Sequence, residues 1–316
     1  MDIFPVNCQQ CGAPLPRQAR WRTVTCTYCS AQYTHAKVVE AKRFREAYER
    51  ACAADGPAFA CASQRYRVLA PLATGEHARI VLAERIGALA ERVVLKVASD
   101  SAVPGRLLRE SQVLVQLQDD SANGAAYFTQ RLPQAVAFGL GEEPGGRRSE
   151  VLVLRNPTGF WGSLAAVRAN YPRGIDARHA VWMWRRTLEV LAYVHAAGWA
   201  HRNIHPGHLL VHPGDHGILI IGWADAQRVG AGHAACARDL QQAAWSMRAL
   251  LAADDGDGAP ALPDSVPAPL AALLRRASED HAWCAAAGAQ GLHDELAAAA
   301  ATAFGAPRFI EFSPNP

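Results

Sequence analysis

Residues 191–211 read LAYVHAAGWAHRNIHPGHLLV, and this stretch decides the fold. Apolar side chains at helical spacing run up to His195, and Gly198 follows where a helix can end. A polar loop then carries His201 and Arg202, and an apolar run begins at Leu209. The order is therefore the end of a helix, a polar loop and a strand, and its meaning depends on the segments around it.

The segments before this stretch have the pattern of a sheet followed by helices. Three short runs rich in β-branched residues predict successive antiparallel strands, and a helix and two further strands follow before the chain becomes mostly helical. This order predicts an α+β, two-lobed architecture. The predicted strands are 66–73, 79–85, 91–99, 135–138 and 151–154, and the predicted helix is 107–117.

Five features in this order resemble those of protein kinases over about residues 65–300. Val93 to Lys96 match the V-A-I-K strand of that family, and Glu110 stands where its αC glutamate pairs with the lysine. Residues 162–164 (GSL) resemble the turn that opens the helical lobe, and residues 191–211 track the catalytic loop. Asp239 stands where a family aspartate anchors that loop. The resemblance thus implies a nucleotide-site remnant at Gly75, Lys96 and Glu110 and structural anchors at His201, Arg202 and Asp239.

The same resemblance implies that the groups needed for phosphoryl transfer are missing. Asn203 replaces the aspartate of H-R-D, and an amide cannot take up a proton at neutral pH. His208 replaces the loop asparagine and is a poor ligand for magnesium. Gly222 stands at the aspartate of D-F-G and has no side chain. We therefore expect no catalytic residue and a pseudokinase.

The nucleotide site is depleted as well. The loop 73–78 (ATGEHA) keeps only the middle glycine, Gly75, of the family's G-x-G-x-x-G, so Ala73 and Ala78 would crowd phosphates. Val94 narrows the adenine pocket, and too few residues separate Ala224 from Asp239 for an ordinary activation segment. We expect neither ATP nor magnesium as a cofactor.

Three other interpretations of this region stay open. A loop shift would let Asp225 serve as a displaced metal ligand. The Lys96–Glu110 pair is either part of a nucleotide site or only a means of ordering the helix against the sheet. The series of histidines either forms a second metal site or consists of independent residues, the simpler interpretation. These histidines are His201, His205, His208, His212 and His216.

Two C-x-x-C pairs near the N-terminus predict a metal site. Cys8 and Cys11 form one pair and Cys26 and Cys29 the other, which is the ligand set of a closed tetrahedral zinc site. β-Branched and aromatic residues at 21–25 and 32–34 predict the strands beside the second pair, so the segment resembles a zinc ribbon. Redox-active or disulfide-bonded cysteines are the alternative, and His35 is a further candidate ligand.

Composition excludes several classes of protein. The 316 residues are 50% hydrophobic and 19% charged, with 32 basic and 29 acidic residues, so the total charge gives no drive toward nucleic acid or lipid. No leader-like N-terminus and no apolar run of about 18 residues is present, and we expect a cytoplasmic protein without a membrane partner. Heavy use of alanine and arginine suggests a GC-rich bacterial source.

The predicted domain order has four parts. A zinc ribbon (1–36) is followed by a helical linker (37–62), a kinase-like N-lobe (63–157) and a C-lobe (158–316) closed by helices at 267–278 and 291–304. The C-lobe ends in an apolar tail around Phe309 and Phe312, which either packs back, against the sheet lobe or the ribbon, or binds a partner.

These features together predict a catalytically inactive scaffold or regulator that acts through protein–protein binding. The partner is unknown. The proteins that accompany similar zinc-ribbon kinase-like chains suggest von Willebrand-type or phosphatase proteins. One alternative is an unorthodox transferase, for example of AMP, on the same fold. Another is nucleic-acid binding through basic residues of the ribbon, which we do not expect because no aromatic ladder accompanies them. These basic residues are Arg17, Arg20, Arg22, Lys37, Lys42, Arg43 and Arg45.

Overall fold

The computed structural model describes residues 23–25, 32–34, 56–87, 91–119, 124–230, 232–253 and 260–315. Four cysteines of the expected zinc site, His35 and most of the 37–62 linker lie outside these ranges. The described strands are β1 (Thr23–Thr25), β2 (Gln32–Thr34), β3 (Ala58–Cys61), β4 (Gln64–Thr74), β5 (Ala78–Arg85), β6 (Glu91–Ala98), β7 (Ala135–Glu142), β8 (Arg148–Arg155), β9 (Gly162–Ser163), β10 (Trp199–Ala200), β11 (Leu209–His212), β12 (Gly217–Ile220) and β13 (Gln227–Arg228). The described α-helices are α1 (Arg106–Gln118), α2 (Ala125–Phe128), α3 (Leu164–Asn170), α4 (Ala177–Ala196), α5 (Ala234–Leu251), α6 (Ala268–Glu279) and α7 (His281–Phe304).

The strand lobe is a closed barrel in the order β3-β4-β5-β6-β8-β7. The expected antiparallel pairing of the first three predicted strands is present, because β4 pairs with β5 and β5 with β6 in antiparallel register. Alternate residues point inward, as the period of two in a strand requires. The barrel core contains Phe59, Cys61, Tyr66, Val81, Ala83, Val93, Leu95, Val97, Val151 and Val153.

Strand β3 differs from the helical linker expected over 37–62. It pairs with β4 at four positions and reaches β7 through Ala60 and Glu142, so it closes the barrel. Gly141 makes this closure possible, because a Cβ there would lie 2.7 Å from Val151 Cγ2 and 3.0 Å from the Ala60 carbonyl. The strand lobe therefore begins at or before Ala58, earlier than the expected boundary at residue 63.

The helical lobe is built on α4, α5, α6 and α7, and a large apolar core joins them. Asp176 accepts a hydrogen bond from Arg178 N and caps the start of α4. The helix expected over 291–304 is the second part of α7, which has non-helical backbone angles at Gly288. Helix α1 shares this core through Leu114 and Leu117, so it connects the two lobes. None of the described helices is long and apolar enough to cross a membrane.

The C-terminal tail packs on the helical lobe of its own chain. Phe312 is only 5% exposed, and its ring lies against Tyr171, His179 and Trp182 at centroid distances of 6.5, 4.9 and 5.9 Å. Tyr171 Oη donates to the Ser313 carbonyl at 2.6 Å. The contacts are therefore with the helical lobe, where the sequence had suggested the sheet lobe or the ribbon.

Candidate functional site

Lys96 on β6 and Glu110 on α1 form a buried ion pair in the cleft between the lobes. Lys96 Nζ lies 2.7 Å from Glu110 Oε1 and 2.5 Å from Oε2, and the Glu110 side chain is 1% exposed. The backbone N–H of Trp223 also donates to Oε1, at 3.2 Å. The carboxylate therefore joins the sheet, helix α1 and the segment after β12.

Asp239 on α5 holds the loop that carries His201 and Arg202. Its carboxylate accepts from His201 N at 2.8 Å, from Arg202 N at 2.7 Å and is 3.0 Å from His195 Nε2. Asp239 is fully buried, and Arg202 has a positive φ of 68°. The three contacts compensate the buried charge and fix the loop in a conformation that a residue with a Cβ rarely adopts.

His201 is buried beneath this loop and is part of its support. Its Nδ1 accepts from Asn203 N at 3.2 Å, and its Nε2 lies 3.0 Å from the Ile221 carbonyl, so Nε2 carries the proton. Burial lowers the pKa of His201, against an opposing effect from Asp239. The neutral ring also contacts Trp223 edge-on, with centroids 4.5 Å apart.

His208 occupies the space that a side chain at position 222 would need. Gly222 has a φ of 85°, and a Cβ there would lie 2.5 Å from His208 Cε1 and 2.7 Å from both ring nitrogens. His208 Nδ1 donates to the Asn203 carbonyl at 2.8 Å. Burial lowers the pKa of His208 to about 4, with further lowering by His205, His201 and Lys96, so the ring is neutral. The His208 ring and the glycine at position 222 are therefore complementary in shape.

Asn203 and Asp225 belong to a second polar cluster that reaches α1. Asp225 Oδ1 and Oδ2 accept from Arg106 Nη1 and Nη2 at 2.8 and 2.6 Å, and Asn203 Nδ2 donates to Oδ2 at 3.0 Å. Arg109 Nη2 also donates to the Ala226 carbonyl at 3.0 Å. Burial acts to raise the pKa of Asp225, but the hydrogen bonds from Arg106 and Asn203 hold it below its ordinary value.

This geometry argues against the hypothesis that Asp225 is a displaced metal ligand. Both carboxylate oxygens already face the Arg106 guanidinium, so a cation would have to replace a bidentate ion pair. Within the described ranges, no three His, Cys, Asp or Glu side chains are grouped so that they could hold a metal ion. The histidine series is likewise not gathered into a site, although the His205 and His208 rings lie 3.8 Å apart.

The loop between β4 and β5 is held to the end of β6 by hydrogen bonds. Ser99 Oγ and Ser101 Oγ donate to the Glu76 carbonyl at 2.8 and 2.7 Å, and Ser99 N donates to the His77 carbonyl at 3.1 Å. Gly75 N closes the turn by donating to the Ala78 carbonyl at 2.9 Å. A Cβ at Gly75 would meet only an ordinary contact at 3.6 Å, so the turn does not require this glycine.

The N-terminal segment contributes one described feature, a two-stranded antiparallel hairpin. Strands β1 and β2 pair with Thr23 opposite Thr34 and Thr25 opposite Gln32. These strands agree with the expected ones. Cys26 and Cys29 lie between the two strands in the sequence, whereas Cys8 and Cys11 precede β1, and all four are outside the described residues.

Sequence reasoning missed the two arginines of α1 that hold the segment after β12. Arg106 and Asp225 are 119 residues apart, and neither belongs to a motif that would indicate the pair. The sequence drew attention only to Asp225, because it is an acidic residue directly after residues 222–224, which stand in place of the D-F-G motif.

Comparisons with known proteins give the fold. A scan against protein-family models found no match, and no curated protein matches the chain. Among solved structures, the chain is similar to a Toxoplasma gondii rhoptry antigen kinase domain, at 11% identity and a TM-score of 0.55, over 82% of this chain and 91% of that one. It also matches a Plasmodium kinase domain at 12% identity and a TM-score of 0.47, over 58% of this chain and 63% of that one, which is slightly less than two thirds of its length. The chain therefore has a protein-kinase-like α+β fold.

Proposed function

We propose that the chain is a catalytically inactive kinase-like protein that acts by binding another protein. The observation that carries this proposal is the fit between His208 and Gly222. A carboxylate at position 222 would be the main magnesium ligand of the fold, and the His208 ring lies only 2.5 Å from the position of its Cβ. Both the ligand and the space for it are therefore missing.

The environment of Asn203 supports the same proposal. A general base must accept a proton, but the Asn203 side chain donates through Nδ2 to Asp225. The Asp225 carboxylate that accepts this hydrogen bond is paired with the Arg106 guanidinium. The Asn203 side chain is thus placed as a donor, which supports the absence of a general base at this position.

Arg106, Arg109 and Glu110 support a fixed arrangement of the two lobes. Along one face of α1 they contact Asp225, the Ala226 carbonyl and Trp223 N, all in the segment after β12. At the other end of the lobe contact, the Phe128 ring stacks on Tyr193 with centroids 5.2 Å apart. A kinase-like body held in one arrangement by these contacts is suited to present a constant surface to a partner.

The test is an ATP titration of the intact chain, read by melting temperature and by label transfer. We expect no transfer from γ-labelled or α-labelled ATP and no thermal shift, whereas a nucleotide at a hundred times its Kd would stabilise by about 2.7 kcal/mol. Lys96→Ala is the matched control for binding at the cleft. Transfer from γ-labelled ATP would disprove the proposal, and transfer from α-labelled ATP would establish the AMP-transferase alternative.

A shift that persists in EDTA and disappears in Lys96→Ala would show a nucleotide bound without magnesium. That result would show that the cleft binds a nucleotide. It would not change the proposal that the chain is catalytically inactive.

The N-terminal segment is proposed to bind one structural zinc ion through Cys8, Cys11, Cys26 and Cys29. The support is the C-x-x-C spacing together with the β1–β2 hairpin, whose connection contains the second pair. We expect one equivalent of zinc in the purified chain and its loss in Cys26→Ser/Cys29→Ser. Cys236→Ser, outside this segment, should keep the metal. A full equivalent in the double variant would show that the ligands lie elsewhere.

A further inference from the structure

The surface beneath the C-terminal tail is a groove lined by aromatic rings. The Trp182 ring on α4 stacks on His216 at 4.2 Å and 5°, and Phe309 of the tail stacks on the other face of His216 at 4.2 Å and 18°. Three residues further along, Phe312 enters between Tyr171, His179 and Trp182. The groove therefore receives two phenylalanines with the spacing Phe-x-x-Phe.

Polar contacts in the groove recognise backbone and not the intervening side chains. Tyr171 Oη donates to the Ser313 carbonyl at 2.6 Å, and Asn170 Nδ2 donates to the Pro314 carbonyl at 3.0 Å. Arg308 and Glu311 are exposed. Asn170 Nδ2 also donates to the Asn315 side chain, at 2.8 Å to Oδ1. An extended segment with two suitably spaced phenylalanines would make the backbone and aromatic contacts without this one.

The tail holds this place with a single anchor. From Gly305 to Asn315 only Phe312 is buried, and Phe309 is 70% exposed in spite of its stacking. The tail has no helix or strand and leaves α7 at Gly305, where φ is 77°. One buried aromatic side chain in a fitted pocket is the usual form of a peptide hot spot.

His216 is the part of the groove that the tail leaves unsatisfied. It is 8% exposed, has a left-handed φ of 48°, and its Nε2 has no hydrogen-bond partner among the described residues. A buried ring nitrogen without a hydrogen-bond partner is unfavourable. A segment that supplies a partner for this nitrogen would fit the groove better than the tail does.

We propose that this groove binds an extended Phe-x-x-Phe segment of a partner protein, and that the chain's own tail is a resident competitor. The proposal rests on the proposed role in protein binding, because it gives the partner a docking surface. It does not depend on the state of the cleft, since none of the groove residues belongs to the cleft clusters.

The experiment uses a fluorescent peptide with residues 306–316 and the full-length chain. Wild type should bind it weakly, because the tethered tail competes at high effective concentration. Phe309→Ala/Phe312→Ala in the full chain should bind at least tenfold more tightly. Phe304→Ala, at the exposed end of α7, is the matched control and should behave like wild type.

Peptide variants test the anchor without changing the protein. Phe312→Ala in the peptide should weaken binding to the double variant at least tenfold, and Glu311→Ala should leave it unchanged. Equal binding to wild type and the double variant, or no binding to a folded double variant, would overturn the proposal. Tail exchange between two copies, seen as a wild-type dimer by light scattering, would also overturn it.

Hydrogen exchange on the unmodified chain covers the case in which the double variant does not fold. Excess peptide should speed exchange at residues 309–313 of the tail at least fivefold if it displaces them. Unchanged exchange at saturating peptide would show that the groove is permanently closed. Such a failure would leave the proposed catalytic inactivity untouched, because the ATP titration measures a different site.

Discussion

Two polar clusters of the helical lobe lie on the same loop and differ in what they do. Around Asp239, one carboxylate accepts three hydrogen bonds, which fix His201 and Arg202. Around Asn203 and His208, the side chains fill space and satisfy one another, and Asp225 is neutralised from α1. The first cluster holds the backbone, whereas the second packs the side chains of the loop against one another and against α1. The loop backbone and the side chains that it carries are thus held by different contacts.

The first prediction tests the Asp239 cluster, which holds the backbone of the loop. Asp239→Asn leaves one acceptor oxygen and turns an amide N–H₂ toward buried N–H groups. We expect a loss of about 2–6 kcal/mol in the free energy of unfolding, since about two buried groups lose their partner and each costs about 1–3 kcal/mol. Urea unfolding measures the effect. Asp264→Asn, at an exposed position, should change stability by less than about 0.5 kcal/mol.

A loss as small as that of the Asp264 control would contradict the comparison. It would mean that the hydrogen bonds to Asp239 do not hold the loop.

The second prediction tests the fit between His208 and Gly222. Gly222→Asp places a Cβ within 2.5 Å of the His208 ring at a residue with positive φ. Overpacking and the left-handed backbone together should cost about 3 kcal/mol. Gly230→Asp is the matched control, because no atom lies within 4 Å of a Cβ at that position.

Removal of the opposing ring should restore part of this loss. Gly222→Asp/His208→Ala should recover about 2 kcal/mol relative to the sum of the two single variants, in a double-mutant cycle of urea unfolding. Additive effects would show that the two positions are independent and would remove the main support for the proposed function. Weak magnesium binding by the double variant, measured by calorimetry, would strengthen that support.

The sequence predicted the parts of the fold that depend on local patterns. The strands at 79–85 and 91–99 and the helix at 107–117 agree with the structure within one or two residues, because β-branched runs and helical spacing are local signals. Strand β3 was missed because its four residues, AFAC, carry no such signal and its pairing with β7 spans about 80 residues. Only the barrel as a whole gives this segment its conformation.

The site divides in the same way. The motif was enough to single out positions 203, 208 and 222 in the sequence. It gave no information on the contacts that these three residues make with one another. The His208–Gly222 fit depends on the pairing of β11 with β12, and the Arg106–Asp225 pair depends on the docking of α1. Both are tertiary contacts between distant segments, and the local sequence carries no signal for either of them.

The last prediction concerns the pH dependence of stability that the second cluster should create. The pKa of His208 is about 4 in the folded chain and about 6.5 when unfolded, so the unfolded state binds the proton first. The contribution of the neutral ring is therefore full above pH 6.5 and is lost as the pH falls toward 4. At pH 5 the loss should be about 2 kcal/mol, and less if water reaches the ring.

Urea unfolding of wild type and of His208→Gln between pH 7.5 and 5 measures this loss. The other histidines contribute equally to both chains, so their effects cancel. Gln can still donate to the Asn203 carbonyl but does not titrate, so its stability should fall less with acid. Equal slopes for the two chains would show that His208 is accessible to solvent, and the cluster would then be an open site instead of a packed one.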